Sequence, residues 1–372
     1  MKVLVTGSNG FVGKNLIAQL SERSDVEVLR FTRQDDIAHL PKLVAEVDFV
    51  FHLAGVNRPQ DPEEFKEGNT DLTRALCDAV AGCSKPVSVL YTSSSQAELD
   101  NPYGCSKRGA EAALNELADS HGTKVYVFRL PNVFGKWARP NYNSAVATFC
   151  HNTVHGLPIQ VNDPNANITL VYIDDVIKYF IAAMDGQLPN ERFVTVEPQY
   201  NISVGALANQ LKAFRDSRDT LITEAVGTGL VRALYSTYVS YLTTDQFTYE
   251  VPKYGDPRGV FVEMLKTPDS GQFSYFTAHP GVTRGGHYHH SKTEKFLVIK
   301  GKARFGFRHI VSGEFYECFT TGEKPEIVET VPGWTHDITN VGADEMIVML
   351  WANEIFNREL PDTYARPVAA PE

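Results

Sequence analysis

The chain has 372 residues, of which 43% are hydrophobic and 22% charged, and its formal net charge is -10. This hydrophobic content can bury well-formed cores, and the length has room for about two or three ordinary domains. The negative charge argues against a general nucleic-acid binder or a protein held on anionic membranes, because both need a basic surface. Neither a nucleic acid nor a membrane is therefore expected as a partner.

The first part of the chain alternates short β-branched runs with segments of helical spacing. The strand-like runs are KVLVT, VEVLRF, VDFVFHLAG, VSVLYTS and KVYVFRL, and the helix-like segments are residues 11–22, 63–80, 103–120, 174–184 and 204–215. Such alternation is typical of a parallel sheet with crossover helices. We therefore predict an α/β domain of the Rossmann type, with a doubly wound parallel sheet.

From about Gln246 onward, the sequence changes to short strand-like runs separated by glycines. These runs are GVFVEML, QFSYFTA, EKFLVIKG, ARFGFRHI, EIVETV and MIVMLWA. The pattern predicts an all-β sandwich or barrel. We expect one domain over residues 1–245 and a second over residues 246–372.

The cysteines and the apolar runs bear on location. The five cysteines are scattered and show no paired C-x-x-C spacing, so they indicate neither a disulfide framework nor a thiolate metal site. The first residues contain no signal h-region, and no apolar run approaches the length of a membrane span. A cytoplasmic protein is expected.

A glycine-rich turn, TGSNGFVG, directly follows the first strand-like run and opens a helix. Gly7, Gly10 and Gly13 would let the backbone approach a dinucleotide pyrophosphate, with Phe11 and Val12 at the positive end of the helix. Three glycines can also form a tight turn without a ligand, but the position after the first strand favours a cofactor site.

The residue at the tip of the second strand bears on the choice of cofactor. An NAD-preferring protein usually has an acidic residue there to bind the ribose hydroxyls, and this chain has Arg33. A guanidinium suits a 2′-phosphate, so NADPH is favoured. The alternative is a solvated surface arginine.

Tyr103 and Lys107 are four residues apart, so they share one face of a predicted helix. A lysine ammonium beside a phenol should lower the pKa of Tyr103 and make it a proton donor to a ketone oxygen. The serine run after the fourth strand, Thr92–Ser95, supplies a further polar group.

These features together resemble the extended short-chain dehydrogenase/reductase family that acts on nucleotide sugars. The resemblance assigns Ser94 to substrate polarisation, Tyr103 to acid catalysis and Lys107 to the support of both the tyrosine and the cofactor. It also implies cofactor contacts from Leu53, Ala54 and Gly55 and a substrate contact from Asn132. The V-Y-G that usually follows the serines is replaced by Ala97-Glu98-Leu99, so both Ser94 and Ser95 remain candidates for the active serine.

Two motifs in the second half match the cupin family. The first, G-x5-H-x-H-x4-E-x6-G, supplies His287, His289 and Glu294, and the second, P-G-x2-H-x3-N, supplies His336. His287 and His289 alternate on a predicted strand and so face the same side. Three imidazoles and a carboxylate suit Zn²⁺ and would also accept manganese, iron or nickel. The alternative is a metal-free barrel whose histidines are polar core groups.

The strand before these motifs carries a further resemblance. Residues 256–263 resemble the D-x-R-G-x-F-x-E strand of cupin-type epimerases acting on 4-keto-6-deoxy nucleotide sugars, which implies sugar-nucleotide contacts from Arg258 and Glu263. The base of those epimerases is the histidine of R-G-x-H. Here that histidine is His287, which also fits the metal motif, so the base is left unassigned.

A nucleotide-sugar reductase fused to such a barrel resembles the CapF/WbjC-like enzymes of capsule and O-antigen synthesis. The resemblance implies a UDP-linked 4-keto-6-deoxy-N-acetylhexosamine as substrate. The barrel would epimerise C3 of UDP-2-acetamido-2,6-dideoxy-β-L-arabino-4-hexulose, and the first domain would reduce C4 with NADPH. The product would be UDP-2-acetamido-2,6-dideoxy-β-L-talose, on the path to UDP-N-acetyl-L-fucosamine. We expect a homodimer, and a barrel that serves only structure or dimerisation remains the alternative.

Overall fold

The computed structural model describes residues 1–189 and 191–369. The chain divides into two compact units, one of Met1–Lys212 with Thr228–Leu242 and one of Ala213–Gly227 with the residues from Thr243 onward. The first unit contains a parallel sheet with helices and the second contains two sheets of β-strands, so the expected fold class is confirmed. The division into functional domains at residues 245 and 246 stays a prediction.

Five parallel strands form the main sheet of the first unit, in the order β2-β1-β3-β4-β5. They are β1 (Lys2–Thr6), β2 (Glu27–Phe31), β3 (Phe49–His52), β4 (Ser88–Ser94) and β5 (Val125–Leu130). Between them lie α1 (Phe11–Leu20), α2 (Leu40–Glu46), α3 (Glu63–Phe65), a π-helical turn (Lys66–Asp71), α4 (Leu72–Ala81) and α5 (Pro102–His121). The strand order reverses between β1 and β3, and ligands of such sheets bind at the carboxyl ends of the strands beside that point.

A second, three-stranded sheet completes the first unit. Its strands are β6 (Asn132–Phe134), β7 (Asn167–Tyr172) and β8 (Gln199–Ser203), in that order. The remaining helices are α6 (Ala145–Val154), α7 (Ile173–Met184), α8 (Val204–Thr220) and α9 (Gly229–Val239), and α8 belongs to the first unit only as far as Lys212. The β6–β7 pair is parallel and the β7–β8 pair antiparallel.

The second unit is built from two antiparallel sheets, one ordered β16-β13-β18-β11-β10-β9 and the other β15-β14-β17-β12-β19. The strands are β9 (Lys253–Asp256), β10 (Gly259–Thr267), β11 (Gly271–Ala278), β12 (Thr283–Tyr288), β13 (Glu294–Lys300), β14 (Lys302–His309), β15 (Phe315–Thr321), β16 (Ile327–Glu329), β17 (Trp334–Asn340), β18 (Met346–Ala352) and β19 (Tyr364–Ala365). Phe276 and Phe296 of the first sheet and Phe305 and Ile338 of the second are buried in a shared core. Every second side chain of a strand therefore points to the other sheet.

No helix within residues 1–189 and 191–369 is both long and apolar enough to cross a bilayer.

Candidate active sites

The glycine turn between β1 and α1 has no room for side chains. Gly7 has a φ of +66°, and a Cβ on it would lie 2.7 Å from the Ala54 nitrogen. A Cβ on Gly13 would lie 2.4 Å from the carbonyl oxygen of Gly7. The N-cap residue of α1 is Gly10, which has no side chain that could accept hydrogen bonds from the first turn of the helix. The backbone N–H groups of that turn, beginning with those of Phe11 and Val12, are therefore left for a ligand. This cradle fits an anionic pyrophosphate.

Arg33 lies at the same edge of the sheet as the glycine turn. Phe31, the last residue of β2, pairs with Thr6, and its carbonyl accepts a 2.9 Å hydrogen bond from the Gly7 nitrogen. Arg33 follows two residues later and is exposed, and it forms no ion pair with any residue that the structure describes. Its guanidinium is therefore available to a phosphate group.

The segment after β3 runs between the glycine turn and α5. The Ala54 nitrogen donates to Thr6 Oγ1 at 3.2 Å. A Cβ on Gly55 would lie 3.2 Å from Lys107 Nζ and 2.8 Å from Asn69 Oδ1. Leu53, Ala54 and Gly55 thus border both the predicted cofactor turn and the predicted catalytic lysine, as a cofactor-lining segment should.

Asn69 was missed by the sequence reasoning. It lies buried in the π-helical turn, where its Nδ2 donates to the Val56 carbonyl at 3.0 Å and to Ser106 Oγ at 3.0 Å. Its Oδ1 accepts from the Val56 nitrogen at 3.0 Å. Asn69 therefore ties the segment after β3 to α5, beside Lys107, and insertions of this helical type are frequent at functional sites.

Tyr103 and Lys107 lie in the first turns of α5, whose start is fixed by Asn101. The Asn101 side chain accepts a 2.8 Å hydrogen bond from the Gly104 nitrogen. Lys107 is buried, and its Nζ donates to the Thr92 carbonyl at 3.0 Å and lies 5.8 Å from the centroid of the Tyr103 ring. The predicted pair is therefore brought together at the end of β4.

The prediction of a lowered pKa for Tyr103 is wrong for this structure, because the net shift is upward. Burial raises the pKa of the Tyr103 phenol, Tyr142 raises it further, and a hydrogen bond with Ser94 opposes them. Burial also lowers the pKa of Lys107 to about 8, against the charge of Glu111. The ammonium faces the Thr92 carbonyl and the tyrosine ring, so the phenol keeps its proton at neutral pH and is equipped to donate it.

The structure separates the two candidate serines. Ser94 is half-buried at the end of β4 and forms a hydrogen bond with the Tyr103 phenol, whereas Ser95 is exposed in the following turn. Asn132 lies near the same edge, because Ser94 pairs with Leu130 of β5 and Asn132 begins the next strand. The Asn132 amide donates to the Thr169 carbonyl at 3.0 Å, and the residue is exposed.

The sequence also did not reveal an ion pair beside Lys107, between the buried carboxylate of Glu111 and the half-buried guanidinium of Arg129. Glu111 lies one turn further along α5, and its two oxygens accept from Arg129 of β5 at 3.0 and 2.7 Å. Ser93 of β4 donates to the same carboxylate at 2.5 Å. These contacts hold the face of α5 that carries Tyr103 and Lys107 against the ends of β4 and β5.

The four predicted metal ligands converge in the second unit. His287 of β12 pairs directly with His336 of β17, and the candidate ligand atoms of His287, His289, Glu294 and His336 all lie within 4.8 Å of one another. Nε2 of His289 lies 3.2 Å and Nε2 of His336 lies 3.4 Å from Glu294 Oε2. The His336 Nε2 is buried and has no hydrogen-bond partner within the described part of the chain.

The charge states of His287 and Glu294 suit the binding of a divalent metal. Burial lowers the pKa of His287 to about 4. Burial alone would raise the pKa of Glu294, but the neighbouring imidazoles of His289 and His336 and the charge of Lys292 lower it below its usual range. Neutral imidazoles and an ionised carboxylate are the forms in which these side chains bind metals, so the residues fit a Zn²⁺ ion.

The comparisons with known proteins agree with this geometry. A family model described as the NAD dependent epimerase/dehydratase family matches residues 3–202. The chain belongs to this family. A second model, the polysaccharide biosynthesis C-terminal domain, matches residues 254–364.

Known proteins resemble this chain over different parts of its length. A UDP-2-acetamido-2,6-beta-L-arabino-hexul-4-ose reductase of Pseudomonas aeruginosa is 67% identical over 98% of both chains. A UDP-glucose 4-epimerase of Vibrio cholerae is 24% identical over 56% of this chain and 74% of that protein. The crystal structure of the capsular polysaccharide assembling protein CapF from Staphylococcus aureus superposes with a TM-score of 0.91 and 40% identity, covering 99% of this chain and 100% of that one. The fold of both units, and not only that of the first, is therefore common to this chain and CapF.

Arg258 and Glu263, the two predicted substrate residues of this family member's second unit, are not part of the metal cluster. Arg258 is exposed and forms a 2.6 Å ion pair with Asp256 in the turn before β10. Glu263 pairs across the sheet with buried Ser274 and forms a 3.5 Å ion pair with Lys266, so it lies on the inner face of its sheet. Each side chain already has an ionic partner that a substrate would have to share.

Proposed function

We propose that the chain is a bifunctional nucleotide-sugar enzyme of polysaccharide synthesis. Its second unit epimerises C3 of UDP-2-acetamido-2,6-dideoxy-β-L-arabino-4-hexulose, and its first unit then reduces the C4 ketone with NADPH. The product is UDP-2-acetamido-2,6-dideoxy-β-L-talose, on the path to UDP-N-acetyl-L-fucosamine. The observation that carries the proposal is the Ser94, Tyr103 and Lys107 set beside the glycine cradle, in a chain 67% identical to a reductase of such a ketose.

In the reduction, NADPH when bound supplies the hydride that is delivered to C4. Tyr103 donates its proton to the oxygen that becomes the alcohol, and Ser94 hydrogen-bonds to the same oxygen while it is still a ketone. Lys107 holds a positive charge beside the phenol and stabilises the negative charge left after the proton has moved. Asn132, exposed at this edge, contacts the substrate.

The chemistry fixes the order of the two reactions. A hydrogen on C3 is acidic only while C4 is a ketone, so the epimerisation precedes the reduction. His287, His289, Glu294 and His336 hold the Zn²⁺, which when bound supplies positive charge near a developing enolate. Arg258 and Glu263 contact the sugar nucleotide. The reduction removes the ketone and draws the reversible epimerisation forward.

One experiment tests this proposal directly. The purified protein is incubated with the UDP-linked 4-keto sugar and NADPH, while absorbance follows cofactor oxidation and NMR follows the sugar. We expect stoichiometric oxidation and a product inverted at C3 with an alcohol at C4. Reduction without inversion at C3 would contradict the epimerase half and favour a barrel with a structural role.

We propose NADPH rather than NADH because Arg33 lies exposed just beyond the end of β2. Arg33→Ala should lower the ratio of kcat/KM for NADPH to kcat/KM for NADH about 10–100-fold. The variant loses a hydrogen bond to the charged 2′-phosphate, and such a bond contributes roughly 1.5–3 kcal/mol. Steady-state kcat/KM with each cofactor measures the change. Arg30, exposed on β2 itself, is a matched control whose alanine variant should keep the parent preference. An equal preference in the parent protein would refute the proposal.

An exposed apolar surface on the outer face of the barrel supports a role in dimerisation. Phe273, Leu297, Ile327, Met349 and Trp351 line a shallow concavity of about 360 Å³ there. A surface of this kind marks an interaction site on many proteins. We propose a homodimer that uses this outer face, together with a cytoplasmic location, which the five free thiols support.

Leu297→Asp should therefore convert the dimer to a monomer, because the dimer would bury a carboxylate without a partner. Light scattering coupled to size-exclusion chromatography measures the mass, and a thermal melt checks the fold. Val311→Asp, at an exposed hairpin tip, should leave the mass unchanged. A folded Leu297→Asp variant with the parent mass places the dimer contact elsewhere.

A further inference from the structure

A segment near the end of the second unit, beyond β18, runs along the elements that carry the metal-ligand histidines. We define residues 362–368 as the C-terminal strap. Its short strand β19 pairs with β12 at His287 and Tyr288, and the Arg366 nitrogen donates to the Gly286 carbonyl at 2.8 Å. The strap therefore forms part of the same sheet as His287.

The strap also contacts the other histidine-bearing segments. Thr335, the neighbour of His336, donates through its hydroxyl to the Arg366 carbonyl. Arg308 of β14 donates through Nε to the Val368 carbonyl at 2.6 Å, and the Val368 side chain is buried. The strap is thus anchored at its C-terminal end.

Asp362, the first residue of the strap, makes the most direct connection to the cluster. Its main-chain carbonyl is hydrogen-bonded to His289 Nδ1. An imidazole that donates from Nδ1 leaves Nε2 as its ligand atom, and His289 Nε2 is the nitrogen that faces Glu294. The carbonyl therefore selects the tautomer and the ring orientation that metal binding needs.

The Asp362 carboxylate fixes the loop that follows His289. Its oxygens accept from the backbone nitrogens of His290, Ser291 and Lys292 at 2.8, 2.7 and 2.9 Å, and from Ser291 Oγ at 2.9 Å. One carboxylate thus satisfies three consecutive N–H groups of the loop between His289 and Glu294. A loop held in this way has few alternative conformations.

The same loop positions Glu294 through a second ionic contact. Lys292 is buried, and its Nζ lies 3.1 Å from Glu294 Oε1, while the other oxygen, Oε2, faces His289 and His336. The ammonium therefore engages one carboxylate oxygen and leaves the other for the cluster. Asp362 acts on two of the four ligands, on His289 directly and on Glu294 through Lys292.

We propose that the C-terminal strap is a structural part of the metal centre and that Asp362 is its positioning residue. The inference rests on the proposed metal site. It predicts that metal affinity depends on a residue 68 positions beyond the Glu294 ligand, which no cupin motif in this chain includes. It also predicts reciprocity, because a metal that binds only the ordered loop must in turn stabilise that loop.

The test measures metal affinity in the full-length chain by competition with a chromophoric chelator for Zn²⁺. Asp362→Ala keeps the main-chain carbonyl that faces His289 but removes the carboxylate that holds the loop between His289 and Glu294. It should raise the Kd about 10–100-fold, the usual cost of losing a group that positions metal ligands. Asp362→Asn keeps one acceptor oxygen and should give an intermediate Kd, and Ser291→Ala, which removes one of the hydrogen bonds, should change it least. Glu345→Ala, an exposed carboxylate of the same unit, is the matched control and should bind like the parent.

Hydrogen exchange at the amides of His290, Ser291 and Lys292 supplies a readout besides affinity. Zn²⁺ should slow exchange at these amides in the parent, and the amides should exchange faster in Asp362→Ala with or without metal. A strap that serves only general stability would lower the melting temperature while leaving the Kd of the folded variant at the parent value, and that result overturns the inference. If Asp362→Ala does not fold, an unchanged Kd in Asp362→Asn overturns it equally. If the parent itself binds no divalent metal, the proposed metal centre fails first.

Discussion

Tyr103→Phe should lose about 10²–10⁴-fold in the rate of NADPH oxidation, because general acid catalysis by a positioned side chain contributes on that order. The phenylalanine keeps the ring that packs 5.6 Å from Phe65 and beside Lys107, and it removes only the hydroxyl that Ser94 contacts. The developing charge on the C4 oxygen would then have to take its proton from water. Stopped-flow or steady-state absorbance with the 4-keto sugar measures the effect.

A control variant and cofactor binding show whether the effect of Tyr103→Phe is specific. Tyr126 is a buried tyrosine of β5 whose hydroxyl has no hydrogen-bond partner among the described residues, so Tyr126→Phe is a matched control that should keep parent turnover. The cofactor should also still bind to Tyr103→Phe, because the glycine cradle is built from other residues. Parent-like turnover in a folded Tyr103→Phe variant would remove Tyr103 from the mechanism.

The sequence could predict the parts of the sites whose partners lie close along the chain. The glycine turn is a local backbone feature, and Tyr103 and Lys107 share a helix face through their spacing alone. The same holds for His287 and His289, whose rings lie 5.0 Å apart. Motif spacing predicts such geometry because residues so close along the chain have few ways to be arranged.

Contacts between distant segments could not be predicted in this way. Asn69 reaches Ser106, Glu111 reaches Arg129, and Asp362 reaches the loop after His289. An isolated asparagine, glutamate or aspartate has no periodic signal that distinguishes it from a surface residue. The predicted lowering of the Tyr103 pKa was wrong for a related reason. Burial depends on the packing of the whole domain, and here it outweighs the expected effect of the nearby lysine on the pKa.

The three-stranded sheet of the first unit was also missed, for reasons visible in its strands. β6 has only three residues, and β8, with the sequence QYNIS, is half polar and contains no buried residue. Neither run alternates strongly enough to be distinguished from a loop. The strands form because β7 lies between them and pairs with both.

His289→Ala should abolish exchange of the C3 hydrogen for deuterium when the protein is incubated with the 4-keto sugar in D₂O without NADPH. Exchange needs only the barrel, so the parent and Tyr103→Phe should both incorporate deuterium, and the second should do so while failing to reduce C4. His289 is buried within the four-residue cluster, and its loss leaves three candidate ligands.

The neighbouring histidine is the control that separates this effect from general damage. His290 is exposed and lies outside the cluster, so His290→Ala should exchange at the parent rate. A thermal melt divides the remaining outcomes for His289→Ala: a folded barrel without exchange indicates catalysis, and an unfolded one indicates that the metal holds the fold. Parent-rate exchange in a folded, metal-free variant would remove the metal from the chemistry. If the parent itself shows no exchange with authentic substrate, the epimerase proposal fails and the dimerisation role of the barrel takes its place.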